Sequence, residues 1–220
     1  MVEPRKHRWH IEDREYARQE QRRGRRYAYP SLNGAKTALV VIDMVPFFVA
    51  ESGYGLGIVP NIDALAVGVR AAGGVVAWVL PGPRSPMPAD FYGERVARVL
   101  AASGGAGAPA DRLWSGLRHE EGDLVADKTA YSAFFPGHCP LPDLLRDKGI
   151  DTVLITGTVT NVCCESSARD AATLGYRVVM VADANAARRD ADHNATLHTV
   201  YRSFGDVRST ESVLHLLGKP

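Results

Sequence analysis

Along the chain, short unbroken apolar runs alternate with segments whose apolar residues recur every three or four positions. TALVVI (Thr37–Ile42), VVAWVL (Val75–Leu80), DTVLIT (Asp151–Thr156) and RVVMVA (Arg177–Ala182) read as strands buried on both faces, and LVA (Leu124–Ala126) as a shorter one. Asn61–Ala72 carries Ile62, Leu65, Ala66 and Val69 at helical spacing and is closed by Gly73-Gly74. Asp90–Leu100, Leu141–Lys148, Asn161–Leu174 and His193–Phe204 read as further helices, with Ser212–Leu217 a last short element. PGPRSPMP (Pro81–Pro88) and SGGAGAPA (Ser103–Ala110) are connections. Strands alternating with helices of this length predict an α/β fold, a three-layer sandwich with a central, mainly parallel sheet flanked by helices.

A chain of 220 residues suits one well-buried domain of this kind. The formal charge of +1 gives no overall attraction to nucleic acid or to a membrane surface, and no run of 18 apolar residues offers a membrane span. Three cysteines without framework spacing fit a reducing compartment, and the N-terminus lacks the apolar stretch of a secretory signal, so a cytoplasmic protein is expected.

The charge is unevenly spread. Residues 1–30 hold nine Lys or Arg against five acids. Residues 1–34 are therefore read as a basic arm preceding a single domain at 35–220. Its acids are interleaved with its bases and no recognition motif follows. A solvated helical arm lying on the body or on a neighbouring subunit, anchored by Trp9, Ile11 and Tyr16, is favoured over a nucleic-acid arm.

Ligands of parallel sheets bind at the carboxyl ends of the strands. Asp43 directly follows ALVVI; Asp127 and Lys128 follow LVA; Cys163 and Cys164 lie just past TVLIT at a helix start. Each alone has a structural explanation, but an acid, a lysine and a thiol at one sheet edge form a candidate site. Helical phase separates the cysteines. Cys164 shares a face with Ala168, Ala171 and Ala172, suited to packing on the sheet, whereas Cys163 shares one with Ser167 and Asp170. Cys163 is thus the presented thiol. The helix dipole and the open N–H groups of a first turn are expected to favour its thiolate and to hold an oxyanion.

ALVVIDM, DLVADKTAYSAF and GTVTNVCCESSARDAATLGYRVVMVADANAA together resemble the isochorismatase-like cysteine hydrolases, over roughly Ala38 to Leu217. The resemblance implies an Asp43–Lys128–Cys163 triad hydrolysing a C–N bond through an acyl-thioester. It further implies an oxyanion hole from the N–H groups of Val159 and Cys163, with a cis peptide before Val159. Isochorismatases proper, which cleave a vinyl ether without a covalent intermediate, carry glycine where Cys163 stands; that ether chemistry is the alternative activity. Nicotinamidases hold a metal through an Asp-x-His pair and a further histidine in the region of PGPRSPMPADFYG, which contains none, so no metal and no cofactor are expected.

Small amides, ureides or lactams are the implied substrates, with Tyr131, Phe134 and Asn161 as candidate contacts and Phe135 divided between pocket and core. Arg84 is a candidate for a substrate carboxylate. His138, the nearest candidate for a Cys–His pair, is expected at the surface or behind the site. Relatives are commonly dimers or tetramers, so a homodimer or homotetramer is expected.

Overall fold

The computed structural model describes residues 2–82, 89–103 and 107–218. Arg84, most of PGPRSPMP and the centre of SGGAGAPA lie outside them. Among the described residues, six strands form one sheet in the order β3-β2-β1-β4-β5-β6. They are β1 (Thr37–Ile42), β2 (Val75–Pro81), β3 (Leu124–Lys128), β4 (Thr152–Thr158), β5 (Arg177–Ala186) and β6 (Asp206–Arg208). Every pairing is parallel. The sheet is therefore wholly parallel, and its helices lie on both faces as the strand–helix alternation predicts.

Side chains of a strand point alternately to the two faces, and here both faces are core. Ala38, Val40 and Ile42 of β1 join one apolar cluster with Val153 and Ile155 of β4, while Leu39 and Val41 join the other with Leu154. The first cluster is closed by α6 (Leu141–Asp147), α7 (Glu165–Thr173) and α8 (Asp190–Ser203), through Leu145, Ala168 and Leu197. The second is closed by α2 (Pro46–Glu51), α3 (Gly53–Ala71) and α9 (Thr210–Leu217), through Val49, Leu65 and Val213. This double burial is why the strands read as unbroken apolar runs. Two helices, α4 (Ala89–Ala102) and α5 (Pro109–Arg112), lie between β2 and β3 in the chain.

The arm folds back on its own body. Its helix, α1 (Asp13–Arg23), sets the Tyr16 ring edge-on to Tyr201 of α8, and Trp9, Ile11 and Tyr16 all pack on the first cluster. The Asp206 carboxylate accepts the N–H groups of Ala28 (2.6 Å) and Tyr29 (2.9 Å), which fixes the far end of the arm to β6. Among the described residues, no helix is long and apolar enough to cross a membrane.

β1 and β4 meet where the strand order reverses direction, leaving a crevice beyond their carboxyl ends. Register is interrupted there: Ile155 pairs with Met180, but Gly157 pairs with Asn185. The Asn185 amide fills the gap by donating to the carbonyls of Ile155 (2.8 Å) and Val181 (2.7 Å). Gly157 has φ +111°, and a Cβ there would fall 2.1 Å from the Ile42 carbonyl oxygen. Only glycine lets β4 come this close to the last residue of β1.

Candidate active site

Three strand ends deliver the three side chains. Asp43 leaves β1 in the left-handed region, φ 52°, which Asp tolerates better than most residues. Its N–H donates to Val79 O (2.9 Å), and its carbonyl accepts from Thr158 Oγ1 (2.8 Å), so the backbone is held from β2 and β4 together. Lys128, the last residue of β3, spends its ammonium on three acceptors: Asp43 Oδ2 at 2.9 Å, Ala130 O at 3.2 Å and Cys163 Sγ at 3.5 Å. Asp43 Oδ1 is buried without a hydrogen-bond partner among the described residues and is the open acceptor of the cluster.

Cys163 lies in a π-helical turn, Thr160–Cys164, inserted between β4 and α7. Val159 O accepts from Cys164 N–H at 3.3 Å, the wide spacing of such a turn, which is frequent at functional sites. The Thr158–Val159 peptide that leads into it is cis. Cys164 is fully buried with Ala168 and Ala171, and its thiol points to Thr156 O (3.9 Å). Ser167, on the Cys163 face, accepts the Ala133 N–H at 2.9 Å and so ties the 131–135 loop to the site.

The protonation pattern differs from the sequence expectation. Burial pushes the Cys163 thiol up to about 12; Lys128 pulls it down, Asp43 pushes it further up, and burial wins. The resting group is a thiol, because a turn end inside the protein does not replace the water that a thiolate loses. Burial alone would depress the Lys128 ammonium, but Asp43 and the Cys163 sulfur outweigh it and hold it above the ordinary lysine value. The cluster is thus a cationic lysine and a thiol beside an acidic side chain with a free acceptor.

The candidate contacts separate. Tyr131 is half-buried against the first cluster and Asn161 is exposed on the π turn. Phe134, expected in the pocket wall, has no exposed surface and sits edge-on to Tyr176, 5.5 Å between centroids, in the core. Phe135 is the exposed one, tilted against His138. His138 Nδ1 lies 3.0 Å from Thr129 Oγ1, a contact that pins the loop. Among the described hydrogen bonds, the partner of the Cys163 sulfur is Lys128, not a histidine. No group of three or more His, Cys, Asp or Glu among the described residues is placed to hold a metal.

A pocket of about 270 Å³ opens beside Thr158 and Val159, lined also by Phe48, Ser52, Ala186, Ala187 and Arg188. These flanking residues escape a reading by strand ends, since Phe48 and Ser52 arrive from α2 and the start of α3. Only ADANAA, at the end of β5, stood within a motif.

Comparison with known proteins agrees with this architecture. The isochorismatase domain profile matches residues 37–212. The chain is 31% identical over 210 residues to the ureidoacrylate amidohydrolase RutB of Klebsiella pneumoniae, covering 83% of this chain and 87% of that protein. A cysteine hydrolase from Pseudomonas syringae pv. phaseolicola superposes with a TM-score of 0.76 at 28% identity, covering 87% of this chain and 96% of the other. The N-carbamoylsarcosine amidase of Thermoplasma acidophilum superposes with a TM-score of 0.65, also at 28% identity, covering 80% and 97%. The chain belongs to the isochorismatase family of hydrolases.

Proposed function

We propose that this protein is a cysteine amidohydrolase that cleaves a C–N bond of a small amide, ureide or lactam through an acyl-thioester. The observation that carries the reading is the buried contact of Lys128 with both Asp43 and Cys163 at the carboxyl edge of the sheet. The kinship with an amidohydrolase of ureidoacrylate and an amidase of N-carbamoylsarcosine supports the bond class. The resting thiol defines the order of proton movements. Asp43 takes the thiol proton as Cys163 Sγ attacks the carbonyl carbon, so no free thiolate accumulates. The oxyanion of the tetrahedral intermediate is held by the N–H groups of Val159 and Cys163. Its collapse breaks the C–N bond as Asp43 returns the proton to the leaving nitrogen. Water then adds to the thioester, giving its proton to Asp43, and collapse releases the acid and restores the thiol. Lys128 remains a cation throughout, orienting the carboxylate and offsetting the charge that builds on sulfur.

Tyr131 and Asn161 are the substrate contacts of this reading, and Phe134, buried in the core against Tyr176, is not one of them. No cofactor or metal has a role in this route. The reading also keeps a small-molecule partner alone, with neither nucleic acid nor membrane, in a cytoplasmic homodimer or homotetramer.

The test is product release from a panel of small amides and ureides by wild type and Cys163→Ala in parallel. Ammonia or amine release by wild type and none by the variant is expected. Equal turnover by both would overturn the covalent route.

A further inference from the structure

The N-terminal arm does more than cover the body. Arg5 N–H donates to Gly53 O at 2.8 Å, and a Cβ on Gly57 would fall 1.8 Å from Arg5 O. A Cβ on Gly53 would fall 2.2 Å from Glu3 O. Two glycines one turn apart on α3 therefore form a seat for the arm backbone that no side chain allows. From that seat the His7 side chain, 2% exposed, enters between Tyr54 of α3 and His193 of α8. The three rings are stacked, with centroids 3.8 and 4.2 Å apart and planes within 8°.

Both His7 nitrogens are committed. Nε2 accepts the Ala187 N–H at 3.0 Å, and Nδ1 lies 2.6 Å from Asp190 Oδ1. A backbone amide only donates, so Nε2 carries no proton, and Nδ1–H is the donor to Asp190. Each partner has a consequence for the site. Ala187 follows Ala186, the register partner of Thr158, and both alanines line the pocket with Val159. On the other face of the stack, His193 Nδ1 lies 2.9 Å from Thr160 Oγ1, in the π turn that carries Cys163. The arm thus reaches the pocket wall through Ala187 and the nucleophile's turn through His193.

We propose that the arm braces the pocket wall beside the candidate site, with His7 as a positioning residue for the Ala187 backbone and, through His193, for the Thr160–Cys164 turn. A clip that merely adds stability would not need a ring nitrogen aimed at the amide of a pocket residue. The kinetic part of the test rests on the amidohydrolase reading, whereas the labelling and exchange parts do not.

The experiment uses the full chain as His7→Ala, His7→Asn and His7→Gln, each well below its melting temperature. Gln places an amide oxygen near the Nε2 position and keeps an acceptor for Ala187, while Asn keeps only a donor for Asp190. Iodoacetamide labelling of each cysteine is followed by peptide mass, amide exchange of Ala187 by NMR, and kcat and KM on whichever amide or ureide of the panel the wild type turns over. In His7→Ala and His7→Asn, Cys163 is expected to label about fivefold faster with Cys139 and Cys164 still protected, and Ala187 to lose protection. Their kcat/KM falls about tenfold, and His7→Gln stays within about twofold of wild type. Unchanged labelling and exchange in folded His7→Ala would overturn the proposal, as would equal labelling of all three cysteines, which reports general loosening. Should His7→Ala fail to fold, His7→Asn carries the same comparison. If no amide is turned over, labelling and exchange still decide, and the failure then belongs to the substrate reading.

Discussion

Lys128 Nζ lies 2.9 Å from Asp43 Oδ2, with the two side chains 5% and 2% exposed. Neither charge has water to fall back on, so each is tolerated because of the other. Lys128→Met leaves the Asp43 carboxylate buried without its cation, which is expected to cost about 3–5 kcal/mol. Adding Asp43→Asn removes the orphaned charge with a residue that also accepts the left-handed backbone, and should recover most of that loss. Urea unfolding of wild type, single and double variants measures both terms, and all three variants should lack amidase activity. A double variant as unstable as Lys128→Met would mean that packing of the lysine stem, not charge pairing, holds this corner.

The proton inventory of the site has a direct readout. With the Cys163 thiol pushed up to about 12 by burial, alkylation by iodoacetamide should rise about tenfold per pH unit between pH 7 and 9, without a plateau. Asp43→Asn removes a charge that opposes the thiolate and should speed labelling at a given pH. A plateau below pH 8 in wild type would mean a preformed thiolate–lysine pair, and Asp43 would no longer be needed to deprotonate the nucleophile.

Gly157 tests the close approach that brings Asp43 and Thr158 together. An alanine there meets the Ile42 carbonyl at 2.1 Å in a backbone conformation, φ +111°, that suits glycine. Gly157→Ala is expected to cost at least about 2 kcal/mol, because overpacking and the disfavoured φ add. Calorimetry should show a Tm lowered by roughly 4–8 °C. Activity should fall further than stability explains, since the Thr158 Oγ1 bond to Asp43 O shifts with the strand. A variant with wild-type Tm would mean that β1 and β4 can separate at their ends at no cost.

What could be read from the sequence follows how local its cause is. β1, β2, β4 and β5 are legible because double burial writes an unbroken apolar run, and the candidate site is legible because Asp43 and Lys128 stand at strand ends and Cys163 follows β4 within one turn. β6 escaped because it is three residues long and two of them, Asp206 and Arg208, are charged. Their burial makes sense only once the arm supplies backbone partners to both. α3 starts eight residues before its predicted start because Gly53, Gly55, Gly57 and Pro60 look like breakers. The first and third of those glycines are instead the arm's seat. The Cys163 protonation state was misjudged because the helix-end argument is local and desolvation is not. His7 carried no signal at all, since its nearest partners in the chain are 47 residues away at Tyr54 and 180 away at Ala187.

Acid sensitivity should trace to the histidine at the bottom of the stack. Burial, with His7 beside it, depresses His193 to about 3, against an ordinary value of 6.5. The unfolded chain therefore takes up a proton near pH 6.5 that the native protein refuses until about pH 3. Because the unfolded state binds more protons across this window, stability is fully present above pH 6.5 and declines as the pH falls. The slope from this one group is about 1.4 kcal/mol per pH unit, or roughly 2 kcal/mol between pH 6.5 and 5. His193→Asn keeps a side-chain amide for Thr160 Oγ1 but has nothing to titrate. Its unfolding free energy, measured in urea at pH 6.5 and pH 5, should drop by about 2 kcal/mol less than that of wild type. Equal losses in both proteins would place the acid-sensitive group elsewhere and mean that His193 can take a proton without leaving the folded state.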